Sequence, residues 1–301
     1  MSESISDKSV DLSQPVEASV PAAVAAIRDQ IATAWEFGGD GDESTITAVV
    51  LGSGLGSLAD RIESAVAVPF GQIPGFARST ASGHRGQLVF GTLGGQPLVA
   101  MAGRLHRYEG WTHDQVTFPI RVMHAIGATR LIASNAAGGV NPLLAVGDIV
   151  VLCDQIDWLH RRRQWGPPSP SDAESPGFPA SRHGPIYDPQ LAAIALAAAR
   201  CGGFHAVQGT YLATLGPTYE TRAEYRMMRR IGVDVVGMST AGEALTAANL
   251  GMSVLALSVV SNVADPDRAN VADHAEVLEA GGAAAAKLEG IVRRVISGPN
   301  A

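Results

Sequence analysis

Short runs of apolar residues with no room for a wet face recur along this chain, and they alternate with stretches of helical period. Ile46–Leu51, Arg130–Ser134, Ile149–Leu152, Ala206–Thr214, Val233–Val236 and Val254–Val260 read as strands. Thr112–Ile126, Pro189–Arg200, Ala223–Ile231, Ala241–Leu250 and His274–Val295 read as helices, the first opened by a capping box of Thr112 and Gln115. A strand that is apolar throughout has to be covered on both faces, which is the condition of a mostly parallel sheet held between helical layers. Leu88–Phe90 and Leu98–Met101, joined through Gly94–Gly95, read instead as a hairpin. The expected fold class is α/β: a single domain with a central mixed, mostly parallel twisted sheet flanked by helices.

The flanks are of another character. Met1–Ala18 is rich in Ser, Asp and Glu and reads as a flexible polar arm, so residues 1–18 are set apart from a domain spanning 19–301. Val20–Trp35 carries an apolar helical period, and the breaker Gly38–Glu43 separates it from the first strand. Trp158–Tyr187 has no period and is dominated by Pro, Ser, Arg and Gly, the marks of a long and functional or mobile loop. Within it, Arg161–Arg163 is read as a solvated cluster. A net charge of −7 with no basic stripe argues against a nucleic-acid partner. Cys153 and Cys201 form no CxxC, which points to a reducing, cytoplasmic setting. The first residues do not have the form of a signal peptide, and no apolar run is long enough for a membrane span.

Several glycine-bearing motifs follow strands. Gly52-Ser53-Gly54-Leu55-Gly56 would let backbone N–H groups converge on an anion, with the Ser53 hydroxyl beside them, although a tight turn would explain it equally well. It lacks the Lys of a phosphate-binding P-loop and the later acid of a dinucleotide fingerprint. Gly83-His84-Arg85-Gly86 comes next. Met101–Gly110 then places Arg104 and His106 two residues apart, on one side of an extended segment, as an oxyanion or phosphate receptor would require.

These motifs, together with Asn135–Gly139, Gly216–Thr221 and Gly237–Thr240, stand in the order of the trimeric purine nucleoside phosphorylases, which the chain resembles from about residue 46 to 296. Methylthioadenosine phosphorylases are relatives of that family. The resemblance implies a phosphate site of Ser53, His84, Arg104, His106, the backbone N–H of Ala136, and Ser239. It puts Tyr108, Met238 and His274 at the ribose, and Ala137, Gly138 and Val236 beside the nucleoside. Tyr219 would pack on the purine face, and Glu220 would bond its Watson–Crick edge. His274 also reads as a solvated residue in the first turn of a helix, and Glu220 as an acid at a helix start.

Asn262 matches the family asparagine that faces N7 and the 6-substituent, where methylthioadenosine phosphorylases carry an aspartate. An amide can donate to a departing 6-oxopurine, so inosine and guanosine are the implied substrates. Phosphate is then co-substrate and nucleophile, no metal or other cofactor is implied, and Asn262, Glu220 and His84 are the catalytic candidates. The implied partners are small molecules and two further copies of the chain, with no nucleic acid and no membrane. A methylthioadenosine or broad-specificity phosphorylase and a non-catalytic nucleoside binder are the alternatives. The chain departs from the family pattern at Asp154–Trp158, at Ser261 and at Val263–Pro266. Phe178 is the candidate for the aromatic that, in relatives, reaches the pocket from a neighbouring subunit.

Overall fold

The computed structural model describes residues 16–32, 45–52, 56–77, 85–159, 185–267 and 274–298, with the backbone alone for 16–19 and 274–278. Among the described residues nine strands form one sheet: β1 (Ile46–Leu51), β2 (Glu63–Pro69), β3 (Gln87–Leu93), β4 (Gln96–Ala102), β5 (Ala128–Gly139), β6 (Ile149–Asp157), β7 (Ala206–Ala213), β8 (Val235–Gly237) and β9 (Ser253–Val263). The described residues also form the α-helices α1 (Val16–Ile31), α2 (His113–Ala125), α3 (Pro189–Cys201), α4 (Arg222–Arg230), α5 (Ala241–Asn249) and α6 (His274–Ser297).

Alternation along the central strands sends neighbouring side chains to opposite faces, and both faces are dry. Ala48, Val50, Leu131, Ala133, Val254 and Ala256 pack with α1, α2 and α5. Val49, Leu51, Ile132, Leu255 and Leu257 pack with α3 and α6. This is why the strand sequences are continuously apolar, each buried side chain of Val or Leu size adding about 1.5–3 kcal/mol. The expected hairpin is β3–β4, antiparallel from Gln87↔Ala102 to Leu93↔Gln96. Thr112 caps α2 with the expected box, its Oγ1 accepting from Gln115 N–H at 3.2 Å.

The sheet is mixed, and its far half curls on itself. β9 pairs in parallel with β5 and antiparallel with β6, so that β5, β8, β7, β6 and β9 close into a ring, while β1, β4, β3 and β2 extend from it. Closure of this kind needs strands longer than their apolar runs, and it corrects several boundaries. Asn135–Gly139, expected after a strand, lies inside β5 because β9 accompanies it to Gly139↔Val263. Asp154–Asp157 continues β6 alongside β7, and Asn262 belongs to β9. β2 lies mostly exposed at a sheet edge, and its apolar run, Ala65–Val68, is short.

At the N-terminus, α1 spans Val16–Ile31, its first residues inside the expected arm, while Trp35, the expected end of this helix, lies outside the described residues. Tyr187, expected at the end of the long loop, is buried and donates to Gln155 Oε1 at 2.6 Å. Arg161–Arg163 and Phe178 lie outside the described residues.

Candidate active site

The strand β5 has two kinds of neighbour. Along one edge it keeps β9 from Arg130 to Gly139. Along the other it pairs with β1 only as far as Ala133 and with β8 only from Gly138. Residues 134–137 therefore lack a strand partner on that edge, and a crevice at such a change of partners is where α/β sheets hold ligands. A cavity of about 350 Å³ opens there.

One end of the cavity is cationic. Arg104, just past β4, and Ser239, just past β8, both line it. Arg104 is 2% exposed and donates through Nη1 to Ser239 Oγ at 2.9 Å and Thr240 Oγ1 at 3.2 Å. Its Nη2 lies 3.0 Å from Glu243 Oε2 in the first turn of α5. His106 is held by Glu109, whose Oε1 lies 3.0 Å from Nδ1 and accepts from the His106 backbone N–H at 2.8 Å. The ring stacks on Tyr108 at 4.7 Å, and with Nδ1 turned to the carboxylate the Nε2 atom is what it offers elsewhere. Burial, helped by the Glu109 charge, raises the Tyr108 phenol above its usual range. The Ser239 backbone N–H is anchored on the hydroxyl of Tyr211, whose fully buried phenol is pushed up to about 12.

The other end carries an amide, a carboxylate and apolar surface. Glu220 stands ahead of α4, with one oxygen accepting from Thr214 Oγ1 and the other from Tyr225 Oη, both at 3.0 Å. Burial and that carboxylate together push the Tyr225 phenol up, which keeps it a donor. Asn262 faces Gly138, where a side chain would begin 3.5 Å from its Oδ1, and Ser261 Oγ donates to the same Oδ1 at 3.0 Å. Ala136, Ala137, Val236, Met238 and Tyr219 complete the wall, Tyr219 being half-exposed at the mouth.

Arg104, His106, Tyr108, Ala136, Ala137, Gly138, Tyr219, Glu220, Val236, Met238, Ser239 and Asn262 are thus gathered in one place. Ser53 and His84 lie outside the described residues, and of His274 only the backbone, the first residue of α6, is described. Sequence reasoning missed Asn135, Glu109, Tyr225, Thr240 and Glu243. Asn135, Glu109 and Thr240 sit inside motifs that were singled out, so proximity was a usable signal. Glu243 lies beyond its motif, and only the fold reveals that it backs Arg104. Among the described residues no group of three His, Cys, Asp or Glu is arranged to hold a metal ion.

Gly52 follows β1 directly and lies against β5, where a Cβ would stand 2.5 Å from the Ser134 carbonyl oxygen and 2.9 Å from Asn135 Cα. Backbone cannot retreat as a side chain can, so Gly52→Ala is expected to cost about 1–3 kcal/mol, read as a lowered midpoint in denaturant unfolding. An unchanged midpoint would mean that this approach is looser than it stands.

A cavity with a guanidinium and hydroxyls at one end and an amide and carboxylate at the other defines a class of site: one for a ligand that is anionic at one end and a polar ring at the other. Residues 46–297 match the family model described as the phosphorylase superfamily. "Purine nucleoside phosphorylase 1" of Geobacillus stearothermophilus is 44% identical over 231 residues, 77% of this chain and 83% of that one. The purine nucleoside phosphorylase of Rattus norvegicus is 42% identical over 250 residues, 81% of this chain and 86% of that one. The Schistosoma mansoni purine nucleoside phosphorylase in complex with inosine superposes with a TM-score of 0.78 at 33% identity, covering 94% of this chain and 97% of that one. The chain belongs to the phosphorylase superfamily, among its purine nucleoside phosphorylases, and is a pentosyltransferase. Among the described residues no helix is long and apolar enough to cross a membrane.

Proposed function

We propose that this cavity carries out phosphate-dependent cleavage of 6-oxopurine nucleosides, inosine and guanosine, to the free base and ribose 1-phosphate. What supports the reading is a single cavity lined by Arg104 and Ser239 at one end and by Glu220 and Asn262 at the other. In this reading phosphate lies against Arg104, Ser239, His106 and the Ala136 backbone, with Ser53 and His84 joining on family resemblance. The ribose lies over Tyr108 and Met238, with His274 towards its 5′-hydroxyl, and the purine over Ala137, Gly138 and Val236 beneath Tyr219.

The C1′–N9 bond stretches, and its electron pair leaves with the purine while an oxygen of monohydrogen phosphate closes on C1′ from the opposite face; the proton that the phosphate gives up completes the free base. Asn262 donates towards N7 and the 6-oxygen as they gain charge, and Glu220 accepts from the N1–H. Such contacts strengthen in the transition state and so accelerate the chemistry. Holding phosphate in line beneath the sugar converts a bimolecular encounter into a positioned one. Phosphate as co-substrate, a homotrimeric assembly and a cytoplasmic place of work belong to the same reading.

Release of hypoxanthine from inosine, with phosphate and without it, tests the reaction. Product in both samples or in neither overturns it. Broader specificity is the competing reading, and a Schistosoma mansoni purine nucleoside phosphorylase solved in complex with adenosine favours it. A panel of inosine, guanosine, adenosine and methylthioadenosine separates the two.

A further inference from the structure

Behind the cationic end of the cavity lies a buried charge that anion binding alone does not call for. Glu243 is 1% exposed in its side chain and sits 3.0 Å from the guanidinium of Arg104, itself 2% exposed. Its carboxyl is pushed up by burial and held down by Arg104 and by the Thr240 backbone N–H. Nη1 of the same guanidinium donates to the adjacent hydroxyls of Ser239 and Thr240. Thr240 reaches this position with φ +67, a backbone conformation that a β-branched residue adopts only when its surroundings enforce it. Asn135 Nδ2 donates to Thr240 Oγ1 at 2.9 Å and helps to enforce it.

A site needing only affinity for phosphate would gain by leaving its guanidinium uncompensated. Here the cation is matched by a carboxylate at contact distance before any ligand arrives. Resting on the phosphorolysis reading, we propose that Glu243 is a positioning residue with two effects: with Thr240 it fixes the Arg104 guanidinium, and its charge holds down the site's affinity for the phosphate dianion and for the sugar phosphate that must leave. Two like charges on either side of one guanidinium repel through a poorly screened interior, where removing one is felt across several ångströms.

The two effects have opposite signs when separated. Glu243→Gln keeps a polar side chain of the same length beside Nη2 and removes the charge, so phosphate should bind about fivefold or more tightly, by isothermal titration and in its KM, while the inosine KM stays within about twofold. Glu243→Asp keeps the charge but draws it back from Nη2, so phosphate should bind no more tightly than to the parent, in contrast to the Gln variant. Thr240→Val removes a hydroxyl anchor without changing charge, and should weaken phosphate about fivefold or more, the loss of one hydrogen bond to a charged group. Should the Gln variant not fold, Glu243→Asn offers the same neutral test. Weaker or unchanged phosphate binding in the neutral variants overturns the counter-charge, and unchanged binding in Thr240→Val overturns the anchor. If the parent protein neither binds phosphate nor yields hypoxanthine, the phosphorolysis reading fails instead.

Discussion

Asn262→Ala is expected to lower the turnover of inosine by about two orders of magnitude or more while the protein remains folded, on the scale of losing one donor to a developing negative charge. The side chain sits near the end of β9 opposite Gly138, half-buried at the cavity wall. Ser261 Oγ donates to its Oδ1, and Nδ2 is the donor the side chain brings. Truncation there enlarges an open cavity instead of emptying the core, and its effect on stability should be small beside that on rate. Steady-state kinetics with inosine, alongside a thermal unfolding curve, reads both quantities. Asn262→Asp sharpens the test, because a carboxylate accepts where the amide donates. Inosine should then lose ground to adenosine in kcat/KM. Unchanged inosine turnover in the Ala variant would remove Asn262 from the chemistry.

How much of this was legible beforehand depended on what kind of force placed each residue. The central strands were readable because burial on both faces leaves a continuous apolar record, as in Val49–Leu51 and Val254–Leu257. The cap at Thr112 was local chemistry written in a few residues. The edge strand β2 was not, since a half-exposed edge imposes no pattern. Nor was ring closure, because the pairing of β9 with both β5 and β6 joins residues far apart in sequence and leaves no local mark. Site residues followed the same division. Arg104, Ser239 and Glu220 stood in glycine-bearing motifs whose order carried the resemblance. Glu243 occupies an ordinary-looking first turn of a helix, where an acid is expected on dipole grounds alone. Its burial against Arg104 depends on the fold bringing the first turn of α5 to the segment just past β4, which only the assembled structure specifies.

Replacing Arg104 by Met should damage binding and folding together, and pH can tell the two apart. Phosphate would lose the guanidinium, so its KM should rise by about two orders of magnitude, as for a charged partner removed from a dry site. Glu243 would be left buried without its cation, and breaking such a pair from one side costs about 3–5 kcal/mol. The wild-type carboxyl is already raised from 4.5 by burial, with Arg104 holding it down. Without Arg104 it rises further, so the folded variant holds a proton that the unfolded chain releases. Between those two pKa values the native state binds more protons than the unfolded state, and stability must therefore fall as pH rises. The variant's deficit should be smallest towards pH 4.5 and largest above the shifted value. Denaturant unfolding at about pH 5 and about pH 8 measures this, and adding Glu243→Leu to Arg104→Met should return most of the lost stability, since an apolar pair leaves no charge buried. A deficit that is the same at both pH values, or is untouched by the second substitution, would mean that Glu243 is not the group left stranded.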